Sequence, residues 1–144
     1  MEDCTAHSLI CDVAVLAEGS VLMLRYANPA KYDGESGWFL PDDVLREFEH
    51  PTRAAVRILK EQLALEVEDE PRLGLIESFQ GNDESWHLSF HHVVELPGSP
   101  HLRPAKGIAA AQWFPLDELP PRSEVAHNGW SLRVLKKMVG APTS

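Results

Sequence analysis

The sequence has few of the features that would place a protein outside the ordinary class of small globular domains. It contains two cysteines, Cys4 and Cys11, which are too far apart for a CxxC motif, and we expect no disulfide between them. No apolar run approaches the ~20 residues of a membrane-spanning helix. The acidic N-terminus also lacks the basic segment that begins a signal peptide. These absences predict a cytoplasmic protein without a membrane partner.

Basic residues are scarce, with 13 Lys and Arg against 22 Asp and Glu and a formal net charge of −9. Binding to a nucleic-acid backbone needs clustered Lys and Arg, so this composition argues against that partner. Divalent cations could still bridge acidic side chains and a small phosphorylated ligand. The length of 144 residues and the 44% hydrophobic content predict one globular domain over residues 1–144.

Apolar, β-branched runs divide most of the chain into strands, and two segments have helical periodicity. Strands are predicted over residues 9–17, 20–26, 38–40, 72–79, 86–96 and 109–114, and helices over 51–65 and 128–140. This order predicts an α+β fold, in which helices pack on the faces of a mixed sheet.

Three histidines, His87, His91 and His92, lie in the predicted strand 86–96. His87 and His91 share a face but are separated by roughly 13 Å at ~3.3 Å per residue, and His92 points to the other face. We therefore expect no single-metal histidine cluster. The face opposite His87 is predicted to be core and consists of Trp86, Leu88, Phe90, His92 and Val94.

The most specific pattern surrounds the helix predicted at 51–65. The stretch "WFLPDD" (38–43) is followed by Glu49, Arg57, Leu59, Glu61 and Leu65. This spacing resembles the Nudix box of MutT-like pyrophosphohydrolases, G-x(5)-E-x(7)-R-E-U-x-E-E-x-G-U, where U is aliphatic. The stretch "AQWFPLDELP" (111–120) resembles a strand and turn that commonly follow in that family. The resemblance implies a Nudix-type α/β/α sandwich.

The sequence departs from the family pattern at chemically important positions. The family glycines correspond to Asp42 and Asp43, two glutamates to Ile58 and Gln62, and the closing glycine to Ala64. In the family, carboxylates at i, i+3 and i+4 of this helix hold Mg²⁺ or Mn²⁺ ions, which neutralise a pyrophosphate and activate water. Only Glu61 remains of these three. Without glycine at position 64, we expect the helix to end in a different way.

The resemblance implies candidate site residues. Glu49, Arg57 and Glu61 match the catalytic positions of the box, and the candidate ligands for Mg²⁺ or Mn²⁺ are Glu49, Glu61, Asp42 and Asp43. The two aspartates could rebuild a metal site or form a solvated turn. Without the family pattern, Arg57 and Glu61 would be a surface i,i+4 ion pair.

Residues outside the box supply candidate ligand contacts. Arg25, at the end of the second strand, could meet a phosphate or form a surface salt bridge. Trp38 could stack on a nucleobase or serve packing. Further candidates for ligand contact or a general base are Glu77, Asp83, Glu84 and His87.

Three functions follow from these features. The first is a Nudix-fold protein related to hydrolases of nucleoside-diphosphate-linked compounds, which binds a small nucleotide or pyrophosphate-linked ligand but hydrolyses it weakly or not at all. The second is an active Mg²⁺- or Mn²⁺-dependent hydrolase, in which Asp42, Asp43 or a later acid replaces the lost carboxylates. The third is a non-catalytic protein-interaction module. The resemblance also allows a homodimer, as in many family members.

Overall fold

The structure, a computed structural model, describes residues 8–139. The strands and helices are β1 (Ser8–Ala17), β2 (Ser20–Tyr26), β3 (Asp42–Val44), α1 (Pro51–Leu63), β4 (Arg72–Gln80), β5 (Trp86–Leu96), β6 (Ile108–Pro115) and α2 (Ala126–Val139). Within this range no helix is both long enough and apolar enough to span a membrane.

The six strands form one mixed sheet in the order β4–β5–β1–β2–β6, with β3 paired to β1. The central strands β1 and β5 are parallel, and the other pairs are antiparallel. β2 joins β1 near Leu16 and Ala17, whereas β3 pairs with Ile10 to Asp12. β3 therefore lies beside the N-terminal half of β1 and contacts α1.

The two helices cover opposite faces of the sheet, because alternate residues of β1 point to opposite sides. Val13 and Val15 pack in one cluster with Ile58 of α1. Ala14 packs in a second cluster with Leu135 of α2. The predicted α/β/α sandwich is confirmed.

The segment predicted as a strand at 38–40 differs from the expectation. Trp38 and Phe39 form only single bridges, to Val125 and Leu24, and the regular strand begins after Pro41. Proline has no N–H to donate to a strand ladder, so it separates the two pieces. As a result, Asp42 and Asp43 lie in a strand rather than in a turn.

The core face predicted for β5 is only partly correct. His92 and Val94 are buried as expected, but Trp86 is 38% exposed. α1 covers the C-terminal half of the strand, where Thr52 lies 3.2 Å from His92, and leaves the start of that face open. The opposite face is more deeply buried, and its buried residues are His87, Ser89, His91 and Val93.

α1 ends as a glycine-capped helix would, although position 64 is alanine, so the expectation of a different helix end is wrong. Ala64 has φ 53° and ψ 34°, the left-handed conformation. Its N–H and that of Leu65 donate to the carbonyls of Lys60 and Leu59. Leu65 is 6% exposed, and burying it offsets the roughly 1–2 kcal/mol cost of a left-handed alanine.

Candidate functional site

Arg57 joins the acidic residues of the box on the surface of α1. Its Nε and Nη2 donate to the two carboxylate oxygens of Glu49 at 2.8 and 2.9 Å. Its Nη1 donates to Asp43 at 3.2 Å and to Glu61 at 3.1 Å. Three carboxylates therefore converge on one guanidinium group, which neutralises part of their charge.

Hydrogen bonds from arginine side chains keep the two retained glutamates ionised. The hydrogen bonds from Arg57 lower the pKa of Glu49 despite its burial. Burial would raise the pKa of Glu61, but hydrogen bonds from Arg57 and Arg46 together lower it. Since the Glu61 side chain is 45% exposed, its ion pairs contribute little stability.

The two positions at which family glutamates are replaced lie on the inner side of α1. Ile58 is fully buried in the core beneath the helix, and Gln62 is 9% exposed. Positions 58, 61 and 62 share a helical face, as their spacing predicts, but that face straddles the boundary between core and surface. Glu61 points outward, and the two substituted residues point inward.

Gln62 forms a neutral hydrogen-bonded latch, which we define as Tyr26, Gln62 and the backbone of Asp42. The Gln62 amide donates to the Asp42 carbonyl at 2.8 Å. The Tyr26 hydroxyl donates to Gln62 Oε1 at 2.9 Å and accepts from the Asp42 N–H at 2.8 Å. The latch satisfies a backbone carbonyl through an N–H donor, which a carboxylate at position 62 could not provide.

The box carboxylates do not form a compact group of three potential metal ligands in the described part of the chain. Across residues 8–139, the only three His, Cys, Asp or Glu side chains with ligand atoms within 4.8 Å of one another are Asp33, Asp83 and His87. That group lies outside the box. The box acids instead surround Arg57, which balances part of their charge.

A cleft of about 490 Å³ opens beside the box and is lined in part by residues from the start of α2. Its aromatic lining includes Tyr32, Phe39, Phe79, His127 and Trp130. Its charged lining consists of Lys31, Asp33, Asp42, Asp43 and Asp83. The cleft thus combines stacking surfaces with an excess of negative charge.

A left-handed turn at the start of α2 places part of the aromatic lining. His127, Asn128 and Gly129 have φ values of 52°, 55° and 86°. The His127 N–H donates to Glu35 Oε1 at 2.7 Å, which ties the turn to the 27–37 loop. Two successive non-glycine residues at positive φ are costly, and such strain is concentrated at functional sites.

Beneath the cleft, His91 lies in a buried network between two carboxylates. Its Nδ1 is 2.7 Å from Asp12 and its Nε2 is 3.0 Å from Glu77. Burial would lower the pKa of His91, but the two carboxylates raise it above its usual value. Glu77 also accepts from Trp130 and Lys137, so the network connects the sheet to α2.

The side chain of Asp42 lies on the same face of the sheet as that of Asp12, its cross-strand partner. Burial raises the pKa of the Asp42 carboxyl well above its usual range, and the nearby Asp12 and Asp43 raise it further. Asp42 is therefore a cleft-lining carboxyl group that resists ionisation.

The other predicted ligand contacts lie in different places. His87 lines the cleft. Trp38 is buried against Phe114, and the Arg25 guanidinium stacks 4.5 Å from the Trp38 ring centroid. Neither Arg25 nor Trp38 is among the cleft-lining residues, and Glu84 is not among them either.

Sequence reasoning did not single out Asp33, His127 or Trp130. Their local signals are the Asp33-Gly34 and Asn128-Gly129 pairs, combinations that favour left-handed turns. Sequence reasoning also did not identify the latch, to which the Tyr26 hydroxyl belongs. These residues meet through contacts that are distant in sequence, such as Asn82 with Asp33.

Comparisons with known proteins agree with this fold. A family profile described as the NUDIX domain matches residues 9–135. A search of curated proteins gives no match. The fold is similar to that of a MutT NUDIX hydrolase from Burkholderia pseudomallei, with 20% identity, a TM-score of 0.73 and coverage of 92% of this chain and 97% of that chain.

Two further solved structures are similar. The E. coli dihydroneopterin triphosphate pyrophosphohydrolase has 15% identity, a TM-score of 0.72 and coverage of 95% of this chain and 100% of that one. A bifunctional NMN adenylyltransferase/ADP ribose pyrophosphatase from Francisella tularensis has 15% identity and a TM-score of 0.69, with coverage of 94% of this chain and 42% of that one. These identities support the fold alone. Because the profile spans most of the sequence and its box lies on α1, the chain belongs to the Nudix family.

Proposed function

We propose that this protein is a cytoplasmic Nudix-fold binder of a small nucleotide or pyrophosphate-linked ligand, with metal-dependent hydrolysis weak or lost. The observation that carries this proposal is the latch, because Gln62 donates a hydrogen bond to the Asp42 carbonyl. In the family pattern that position carries a carboxylate. Here a neutral amide occupies the place, and Ile58 beside it has no ligand atom to offer a cation.

The cleft supports ligand binding independently of hydrolysis. A nucleobase can stack on aromatic faces such as those of His127 and Trp130, which line it. Similar proteins are named for action on dihydroneopterin triphosphate and ADP-ribose, and both compounds join a ring system to a polyphosphate. The ligand proposed here has the same two parts.

Thermal denaturation with a panel of nucleoside diphosphates, nucleoside triphosphates and nucleotide sugars tests binding, because a ligand that binds only the folded state raises its stability. We expect a concentration-dependent rise in Tm for at least one compound. His127→Asn should reduce this rise, since Asn tolerates positive φ but lacks the ring. Asn128→Asp is the matched control in the same turn and should preserve it.

Chromatographic analysis of the cleavage products with Mg²⁺ and Mn²⁺ over the same panel tests the second half of the proposal, because hydrolysis of a nucleotide sugar releases a nucleoside monophosphate and a sugar phosphate rather than free phosphate. We expect turnover far below the usual 1–10³ s⁻¹ of enzymes. Turnover within that range on any member of the panel would overturn this half while leaving ligand binding intact.

An active hydrolase is a second candidate, because Asp43 brings a carboxylate to the cleft and to Arg57. It predicts that Glu61→Gln removes metal-dependent turnover. The binding proposal predicts instead that Glu61→Gln leaves the ligand-induced rise in Tm unchanged, because Glu61 does not line the cleft.

A further inference from the structure

The cleft carries a second group of potential metal ligands, away from the Nudix box. Asp33 comes from the 27–37 loop, Asp83 from the β4–β5 loop and His87 from the start of β5. Each offers one ligand atom, and the three atoms lie within 4.8 Å of one another. They occupy the β4–β5 side of the cleft, whereas Asp42 and Asp43 occupy the β3 side.

Each of the three side chains is held in place by a neighbour. The Asn82 N–H donates to both oxygens of Asp33 at 2.9 and 3.1 Å. Ser85 donates to Asp83 Oδ1 from its hydroxyl at 2.6 Å and from its N–H at 3.0 Å. The His87 ring stacks on Phe79 with a centroid distance of 5.0 Å. Such outer contacts orient ligands before a metal arrives.

His87 provides the nitrogen atom of the group. It is only 6% exposed, and its Nε2 faces Asp83 Oδ1 at 3.6 Å. The Ser85 hydroxyl lies 2.9 Å from the same Nε2, whereas the other ring nitrogen, Nδ1, is buried without a hydrogen-bond partner in the described part of the chain. The nitrogen directed at the aspartates is therefore Nε2, and a cation bound there would replace its contact with Ser85.

Gly81 keeps the space beside these ligand atoms open. A Cβ at this position would collide with His87 Nε2 and lie 3.1 Å from Asp83 Oδ1. Any other residue at 81 would therefore push into the group. The His127 ring nitrogen Nε2 is 3.6 Å from Asp33 Oδ2, which places a second imidazole beside it.

We propose that Asp33, Asp83 and His87 bind a divalent transition-metal cation in the cleft. One imidazole nitrogen and two carboxylates suit Zn²⁺, Mn²⁺ or Co²⁺ better than Mg²⁺, which prefers an all-oxygen shell. The two carboxylates balance the charge of the ion. Three protein ligands leave at least one coordination position open.

An ion at this site would also bring phosphate into an acidic cleft. The remaining coordination position could be taken by a phosphate oxygen, which the aspartates alone would repel. This consequence rests on the proposed ligand binding, whereas the metal site itself does not.

Titration of the full chain with Co²⁺ alone tests the site by calorimetry and by visible absorption. We expect one equivalent to bind. Asp83→Asn should weaken binding roughly tenfold or more, since ligand-shell changes commonly cost that much, and its amide oxygen can still accept from Ser85. Asp69→Asn, in the exposed loop after α1, makes the same chemical change elsewhere and should bind as the wild type does.

The outcomes separate this site from the box. No binding up to millimolar Co²⁺, or equal affinities for the Asp83→Asn and Asp69→Asn variants, would overturn the proposal. Loss of binding in Glu61→Gln but not in Asp83→Asn would also overturn it and assign the ion to the box. His87→Gln, with folding checked by circular dichroism, is a second test and should remove the imidazole contribution to the Co²⁺ spectrum. Because nucleotide is absent, failure of the proposed ligand binding would not affect these results.

Discussion

Replacing Gln62 by glutamate tests whether the latch stabilises an arrangement without metal. The substitution keeps the shape of the side chain but removes the N–H that donates to the Asp42 carbonyl at 2.8 Å. A carboxylate oxygen would then face the carbonyl oxygen. Gln62 is 9% exposed, so solvent could relieve little of this repulsion.

The expected loss of stability is about 2 kcal/mol. A lost hydrogen bond costs ~1 kcal/mol and an unsatisfied buried group about 1–3 kcal/mol. The lower part of that range applies, because the Tyr26 hydroxyl lies 3.1 Å from the Asp42 carbonyl and can donate to it instead. At about 3 °C per kcal/mol for a chain of this size, the Tm should fall by roughly 6 °C.

Thermal denaturation with and without Mn²⁺ is the assay, and Gln62→Met is the matched control. Methionine removes the hydrogen bonds without adding charge, so the difference between the two variants isolates the carboxylate. Mn²⁺ should raise the Tm of Gln62→Glu more than that of Gln62→Met, because a cation can bridge the new carboxylate and the carbonyl. A Gln62→Glu variant as stable as the wild type in the absence of metal would refute the role assigned to the latch.

Four further predictions concern α1 and the network beneath the cleft. Ile58→Glu should lower the free energy of unfolding, measured by urea denaturation, by about 3–5 kcal/mol, because it buries an unpaired carboxyl group. The control Ile58→Met has a similar volume and should lower it by less than about 1.5 kcal/mol. Arg57→Lys should cost about 1–2 kcal/mol in the same assay, because lysine cannot form the paired contacts with Glu49; an unchanged midpoint would contradict this. Ala64→Gly should stabilise the protein by about 1 kcal/mol, because position 64 has φ 53°; a lower Tm would contradict this. The pKa of His91 is raised in the folded state, so its stabilising contribution should be complete below about pH 6.5 and be lost as the pH rises through the raised pKa. The difference in urea midpoint between the wild type and His91→Gln should therefore shrink from pH 6 to pH 8.5, and a constant difference would contradict the assignment.

Local patterns predicted the elements of this fold because they act over short stretches of chain. Apolar, β-branched runs predicted the β1–β2 hairpin, and Pro51 marked the first turn of α1. The prediction of which β5 residues are buried was only partly correct, because the helices determine which parts of the strand's two faces are covered. α1 reaches His92 but not Trp86. The alternation of residues within β5 does not show how far along the strand α1 extends.

The cleft was less predictable because it is assembled from distant segments. Asp33 and His87 are 54 positions apart in the sequence, and they meet only after β5 has paired with β1. Spacing along one strand argues against a histidine cluster there. It could not identify a mixed group whose acids come from two loops.

The two substituted positions of the box have different physical consequences, although the family pattern treats both as lost carboxylates. Ile58 lies fully within the core, where a restored glutamate needs a cation or a proton to remain buried. Gln62 instead provides a hydrogen bond that a glutamate cannot make. Restoring both glutamates therefore removes apolar packing and the latch together. We expect the double reversion Ile58→Glu, Gln62→Glu to be less stable than either single variant. A gain of metal-dependent turnover can be observed only if the double variant still folds. Activity measurements on the double reversion are informative only beside its Tm in Mn²⁺: a folded double variant without turnover would show that the divergence extends beyond positions 58 and 62.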